Sequence, residues 1–134
     1  MKKLVPVIII LLLISGCTTD YHEVAAKTVE DYIVSLDQQD LSTQLRVLEE
    51  FELNGEYYQE HFLSFVESAE VISIEPAYED DYILIMRGEF TMRFRDDYQG
   101  SDRLRAGDNR VIRYFTFYKM EDMALKEILD KLIK

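Results

Sequence analysis

The 134-residue chain has no tryptophan, one cysteine, two prolines and five glycines. A single thiol excludes an internal disulfide, so any fold rests on packing alone, even in an oxidising compartment. Two histidines 39 positions apart, His22 and His61, make no ordinary local zinc site with so few thiols. The scarcity of proline and glycine, with 48% apolar residues, excludes a collagen-like or disordered chain. Basic residues are also few, 15 Lys and Arg against 26 Asp and Glu, for a net charge of −11. That sign argues against nucleic acid and against adhesion to anionic headgroups. Gly-x-Ser-x-Gly is missing, which leaves nucleophilic hydrolase chemistry unsupported.

Long apolar runs are missing too. The one pronounced stretch, residues 7–14, is shorter than the ~20 helical residues that cross a bilayer. It follows Lys2 and Lys3 and precedes Ser15-Gly16-Cys17. A basic start, a short apolar core and small residues before a boundary are the layout of a secretory signal peptide. Ile14-Ser15-Gly16-Cys17 resembles a bacterial lipobox, and the only cysteine stands where that motif needs it. The resemblance implies cleavage before Cys17 and lipidation of its thiol, placing the chain on the extracytoplasmic face of the cell membrane. Residues 1–16 are then the leader, 17–20 the lipidated N-terminus and short tether, and 21–134 one domain. Removing 16 residues from 134 leaves 118, and losing two lysines takes the charge to −13. Attachment must come from the acyl chains, since two or more hold stably where one is marginal. Three tether residues reach only ~10 Å, so the body rides close to the membrane and a protein partner is expected there.

The charge is unevenly spread. Residues 20–70 carry 13 acids against Lys27 and Arg46, whereas residues 71–120 carry 9 acids against 8 bases, seven of them arginine.

The first half has helical periodicity. Ala25, Thr28, Val29, Tyr32, Ile33 and Leu36 form one face of a first helix. Asp40 can cap a second, with Leu41, Leu45, Leu48 and Phe51 on one side and Asn54-Gly55 as its stop. A third is expected over residues 56–67, presenting Tyr58, Phe62 and Phe65. The second half alternates instead. A β-rich stretch over 70–77 ends at Pro76, and Glu79-Asp80-Asp81 makes a turn. A long strand over 82–95 follows, with Tyr82, Leu84, Met86, Phe90, Met92 and Phe94 on one face. Gly88 lies within that face, where a bulge or bend is expected. Residues 96–108 read as a loop and 109–120 as another long strand. Residues 123–133 fit either a short helix or a last strand ending near Leu129. The fold class is α+β: N-terminal helices packed on a long-stranded, curved antiparallel sheet.

This order resembles the nuclear-transport-factor-2-like, cystatin-like cone superfamily, and the whole chain is similar to small lipoproteins of Gram-positive bacteria. The usual tryptophan-rich final strand is replaced by a Lys/Leu-rich segment. The resemblance implies a cone lined by Tyr32, Tyr58, Phe62, Phe90 and Phe115, with His61 as its polar candidate. It allows either a binding module or a cone-pocket isomerase or cyclase, which needs a buried base and an oxyanion donor.

Two further sets stand out. Asp96, Asp97, Asp102 and Asp108 match no calcium-loop spacing and read as a solvated turn, so neither a metal nor a cofactor is implied. Arg87, Arg93, Arg95, Arg113, Tyr114 and Tyr118 read either as ordinary surface ion pairs or as a partner-binding sheet face, because Arg and Tyr favour hot spots. The expected function is a non-enzymatic, lipid-anchored module that binds a protein or small ligand. The alternatives are the cone enzyme and a self-associating structural protein, a homodimer through the outer sheet face.

Overall fold

The computed structural model describes residues 20–101 and 103–132, so the leader and Cys17 lie outside the described residues. Helix α1, Tyr21–Asp37, begins where Asp20 Oδ1 accepts from the amides of His22 and Glu23, at 3.0 and 3.2 Å. Such a cap satisfies donors that a helix start otherwise leaves unpaired. Ala25, Val29, Ile33 and Leu36 recur at helical spacing, and all four are fully buried.

Asp40 caps α2, Leu41–Val47, accepting from the Thr43 amide at 3.1 Å and its hydroxyl at 2.6 Å. This helix ends well before Asn54, in a 3₁₀ turn over Glu49–Phe51 whose next residue, Glu52, is left-handed (φ 51°). Asn54-Gly55 therefore does not stop α2. It starts α3, Gly55–His61, with Asn54 Oδ1 accepting from the Tyr57 amide at 3.0 Å. Helix α3 is shorter than the expected 56–67, because a 3₁₀ turn at Leu63–Phe65 leads straight into the sheet.

Four antiparallel strands run in simple order: β1, Val66–Glu79; β2, Ile83–Phe94; β3, Gly107–Tyr118; and β4, Ala124–Leu129. Strand β1 starts earlier than residue 70 and continues through Pro76. As an edge strand it tolerates a residue that cannot donate to a ladder. Its register slips at three places against β2, and such bulges bend a long strand. The α1 end covers part of this edge: Asp37 Oδ1 accepts from the Ala69 amide at 2.9 Å, and Gln39 Nε2 donates to Val66 O at 2.6 Å.

The β2–β3 ladder is unbroken from Ile83↔Tyr118 to Phe94↔Gly107, so Gly88 carries no bulge. Its role is close approach. A Cβ there would sit 3.0 Å from Phe115 Cε2 and 3.2 Å from Val29 Cγ1. Hydrogen in place of a side chain lets α1 and the Phe115 ring settle directly on β2.

The last segment is a strand. A register shift in the β3–β4 ladder puts Leu125 opposite Phe117 and Ile128 opposite Phe115. One extra residue thus converts alternation into a spacing of three, which is why the sequence also fitted a helix.

Candidate interaction surface

The interior is filled by rings. Phe90, Phe94, Phe115 and Phe117 are at most 1% exposed, and Met86 2%. Tyr32 meets Phe115 edge-on at 5.4 Å and Phe90 at 6.5 Å, while Phe62 meets Phe94 at 5.7 Å. Tyr58 packs on Phe62 at 5.3 Å. Five of the residues expected to line a cone thus contact one another or neighbouring rings as core. His61 is not among them. It lies on the exposed side of α3, stacked on Tyr57 at 4.1 Å, while Tyr58 and Phe62 take the inner side. A cleft of about 380 Å³ runs beside it, bordered by Phe65, Tyr98 and Gly100 at the molecular surface.

One polar group is wholly buried in the helical layer. The Gln44 side-chain amide donates to Tyr32 O at 2.8 Å and Ser35 Oγ at 2.6 Å, and its oxygen accepts from the Tyr58 hydroxyl at 2.5 Å. Every polar atom of this side chain is used, so its hydrogen bonds offset the cost of desolvation as it joins α1, α2 and α3. Burial pushes the Tyr32 phenol up to about 12, against a small opposing effect of Arg113, and raises Tyr58 well above its usual range.

Among the described residues, the other sheet face carries no helix. Ile85 faces Thr116 across the β2–β3 ladder, and these two are only 6% and 5% exposed. They form the floor of a groove of about 360 Å³, walled by Ile83, Tyr114, Tyr118, Leu129 and Leu132 with the charged Glu127 and Lys131. Strand alternation sends Tyr114, Thr116 and Tyr118 outward, and the chain after β4 brings Leu132 to the same groove.

Beside the groove lies a charged patch. Glu89, 7% exposed, accepts from Arg110 Nε at 2.5 Å and from Arg87 Nη2 at 3.2 Å. The arginine stems roof this carboxylate, and its hydrogen bond from Arg110 draws its pKa down most, against desolvation, with Arg87 adding. Arg87 also reaches Glu75 at 3.5 Å, and its pKa is raised first by a hydrogen bond to Tyr114. Arg93 bridges Glu67 and Asp108, at 3.2 and 3.1 Å. Arg95 pairs with Asp97 at 2.7 Å and lies over the Phe65 ring, past the end of β2. The arginines of this face are compensated on the molecule itself.

Arg113 does not belong to this face. It stands opposite Gly88 and shares the inner side with Val111 and Phe115, close enough to Tyr32 to lower its pKa. The period-two count from Val111 already dictates that side. Of the expected partner-binding set, the structure brings Arg87, Tyr114 and Tyr118 together along the groove, with Arg93 further along the same strand. The sequence reading missed Ile85, Thr116 and Leu129, although Ile85 and Thr116 stand at outward positions. Among the described residues, no set of three or more His, Cys, Asp or Glu side chains is arranged for a metal ion.

Compared with protein-family models, curated proteins and solved structures, the chain gives no match.

Proposed function

We propose that the protein is a membrane-anchored extracytoplasmic lipoprotein whose domain binds another protein through the outer sheet face. The observation that carries this reading is the groove over Ile85 and Thr116: tyrosine and leucine walls, Glu127 and Lys131 in its lining, no helix above it among the described residues and the Arg87–Glu89–Arg110 patch beside it. Tyrosine and arginine around an apolar centre suit a hot spot with a polar border. The lipobox-like segment ending at Cys17 supports the anchor, and helices followed by a meander keep the cone-superfamily resemblance as part of the proposal. The ring-filled interior counts against the isomerase or cyclase alternative, which requires an apolar cavity with a buried base.

Two measurements test the reading. A clickable fatty acid should label the wild-type chain and leave Cys17→Ala unlabelled; equal labelling removes the anchor. A photo-crosslinking residue at Tyr118 in intact membranes should capture a discrete protein that the same probe at Tyr57 does not. Capture of a second copy would support the self-associating alternative, and identical patterns at both positions would dismiss the face as a binding surface.

A further inference from the structure

Of eight large apolar side chains left exposed among the described residues, five gather at one end: Tyr21, Val24, Tyr78, Tyr82 and Met120. Tyr82, expected on the apolar face of the strand, stands in the turn just before β2 and is 69% exposed; Met120 is 81% exposed, which is unusual for groups this size standing together. Lys119 ties the end into one surface. Its ammonium lies 5.5 Å from the Tyr21 ring, 2.6 Å from Glu79 Oε2 and 2.7 Å from Asp80 O, while its amide donates to Tyr82 O at 2.9 Å. The carboxylates inside the patch are occupied. Glu79 is held by Lys119 and by His22 at 2.5 Å. Asp80 accepts from the amides of Tyr82 and Ile83, both at 2.8 Å, and from the Tyr78 hydroxyl at 3.0 Å.

This is also the end at which the chain enters. Asp20 caps α1 beside Tyr21, and only Thr18 and Thr19 separate it from Cys17. Three extended residues span at most ~10 Å, a few Å more than one headgroup layer. Acylation of Cys17 therefore holds the Asp20–Tyr21 edge of the patch within about that distance of the bilayer. Tyrosine favours the interface because its ring is apolar and its hydroxyl polar, and methionine adapts to irregular apolar surroundings.

We infer that this end is a lipid-seating surface: Tyr21, Tyr78, Tyr82 and Met120 dip into the membrane interface and fix the orientation of the anchored domain. The inference rests on the anchor reading above. Seating on this end leaves the outer sheet face standing roughly along the membrane normal, open to a neighbour. Asp81, Glu121 and Asp122 are exposed around the patch, so anionic lipid should seat it less well than zwitterionic lipid.

With Cys17 acylated, a cysteine introduced by Tyr82→Cys or Met120→Cys is the only reactive thiol in the full-length protein. Each variant, and Tyr57→Cys as control, would carry an environment-sensitive fluorophore in phosphatidylcholine vesicles containing a nitroxide lipid. Tyr57, on α3, stacks on His61 near the Phe94 end of β2, a 12-residue strand of ~40 Å that starts beside Tyr82. Labels at 82 and 120 should be quenched several-fold more than the label at 57, with a blue-shifted emission, and less so in phosphatidylglycerol-rich vesicles. Protein that floats with vesicles and carries an acylated Cys17, yet shows equal quenching at all three positions, overturns the seating and leaves the anchor intact. Protein that fails to float, with a bare Cys17 by mass spectrometry, overturns the anchor and the seating together. Shielding of position 120 in native membranes but not in pure lipid would assign the patch to a protein instead.

Discussion

Replacing Gly88 by alanine tests whether α1 lies directly on β2. The new methyl carbon would be 3.0 Å from Phe115 Cε2 and 3.2 Å from Val29 Cγ1. Neither neighbour has room to retreat. Both are fully buried, and the Phe115 ring is held by Tyr32 edge-on at 5.4 Å. Overpacking of this kind costs about 1–3 kcal/mol. Alanine recovers about 0.5–1 kcal/mol of backbone entropy that glycine loses in a strand. The difference of the two ranges is a loss of about 0–2.5 kcal/mol, centred on about 1 kcal/mol, which for a domain this size lowers Tm by about 4–5 °C. Differential scanning calorimetry and urea unfolding measure it. Adding Val29→Ala should make the pair cost less than the sum of the singles by about 0.5 kcal/mol or more, because the two sites share one contact. A Gly88→Ala protein more stable than wild type, or strict additivity with Val29→Ala, would refute the argument. Gly107 provides the contrast: it has φ +82° and nothing within 4 Å, so Gly107→Ala should lose stability through strain alone and add independently.

Further outcomes follow from the buried polar and charged groups. Gln44→Leu leaves the Tyr58 hydroxyl without its acceptor and should destabilise by about 1–3 kcal/mol, part of which Tyr58→Phe in the double variant restores; chemical denaturation of the four proteins decides it. Because burial holds the Tyr32 phenol at about 12, above its unfolded value of ~10, that stabilising contribution is complete below pH ~10 and disappears as pH rises through about 12. Phenolate absorbance should therefore show Tyr32 and Tyr58 ionising together with loss of helical circular dichroism, and early ionisation would contradict their burial. At acid pH the sign reverses. Glu79, lowered first by its Lys119 bond and then by His22, and Glu89, lowered first by Arg110, stabilise the fold above ~4.3 and cease to do so as pH falls through their depressed values. Tm should fall below pH ~4, and an unchanged Tm at pH 3 would contradict both pairs.

Periodicity alone located most of the elements. Apolar spacing defined α1 and the two long strands, because a helix and a strand present their faces at different repeats and each repeat recurs several times here. Asp40 was readable as a cap for the same local reason: its carboxylate reaches an amide three residues on. Asn54-Gly55 was legible as a boundary and misread in direction, since the pair equally ends one helix or begins the next. Position 113 needed only a parity count from Val111.

Other features depend on partners distant in sequence. That Gly88 is a contact point and not a bulge is decided by Val29 and Phe115, which meet it only after α1 packs on the sheet. The strand character of 124–129 arises from pairing with β3, whose register shift disguises the alternation. Gln44 is a core residue because Tyr32, Ser35 and Tyr58 surround it with matching groups. The groove over Ile85 and the patch around Tyr82 exist because strands far apart in the chain finish side by side. Local rules set the repeats and the charge. Which faces end buried, walled or bare is a property of long-range pairing, because burial is measured against neighbours that the linear order does not name.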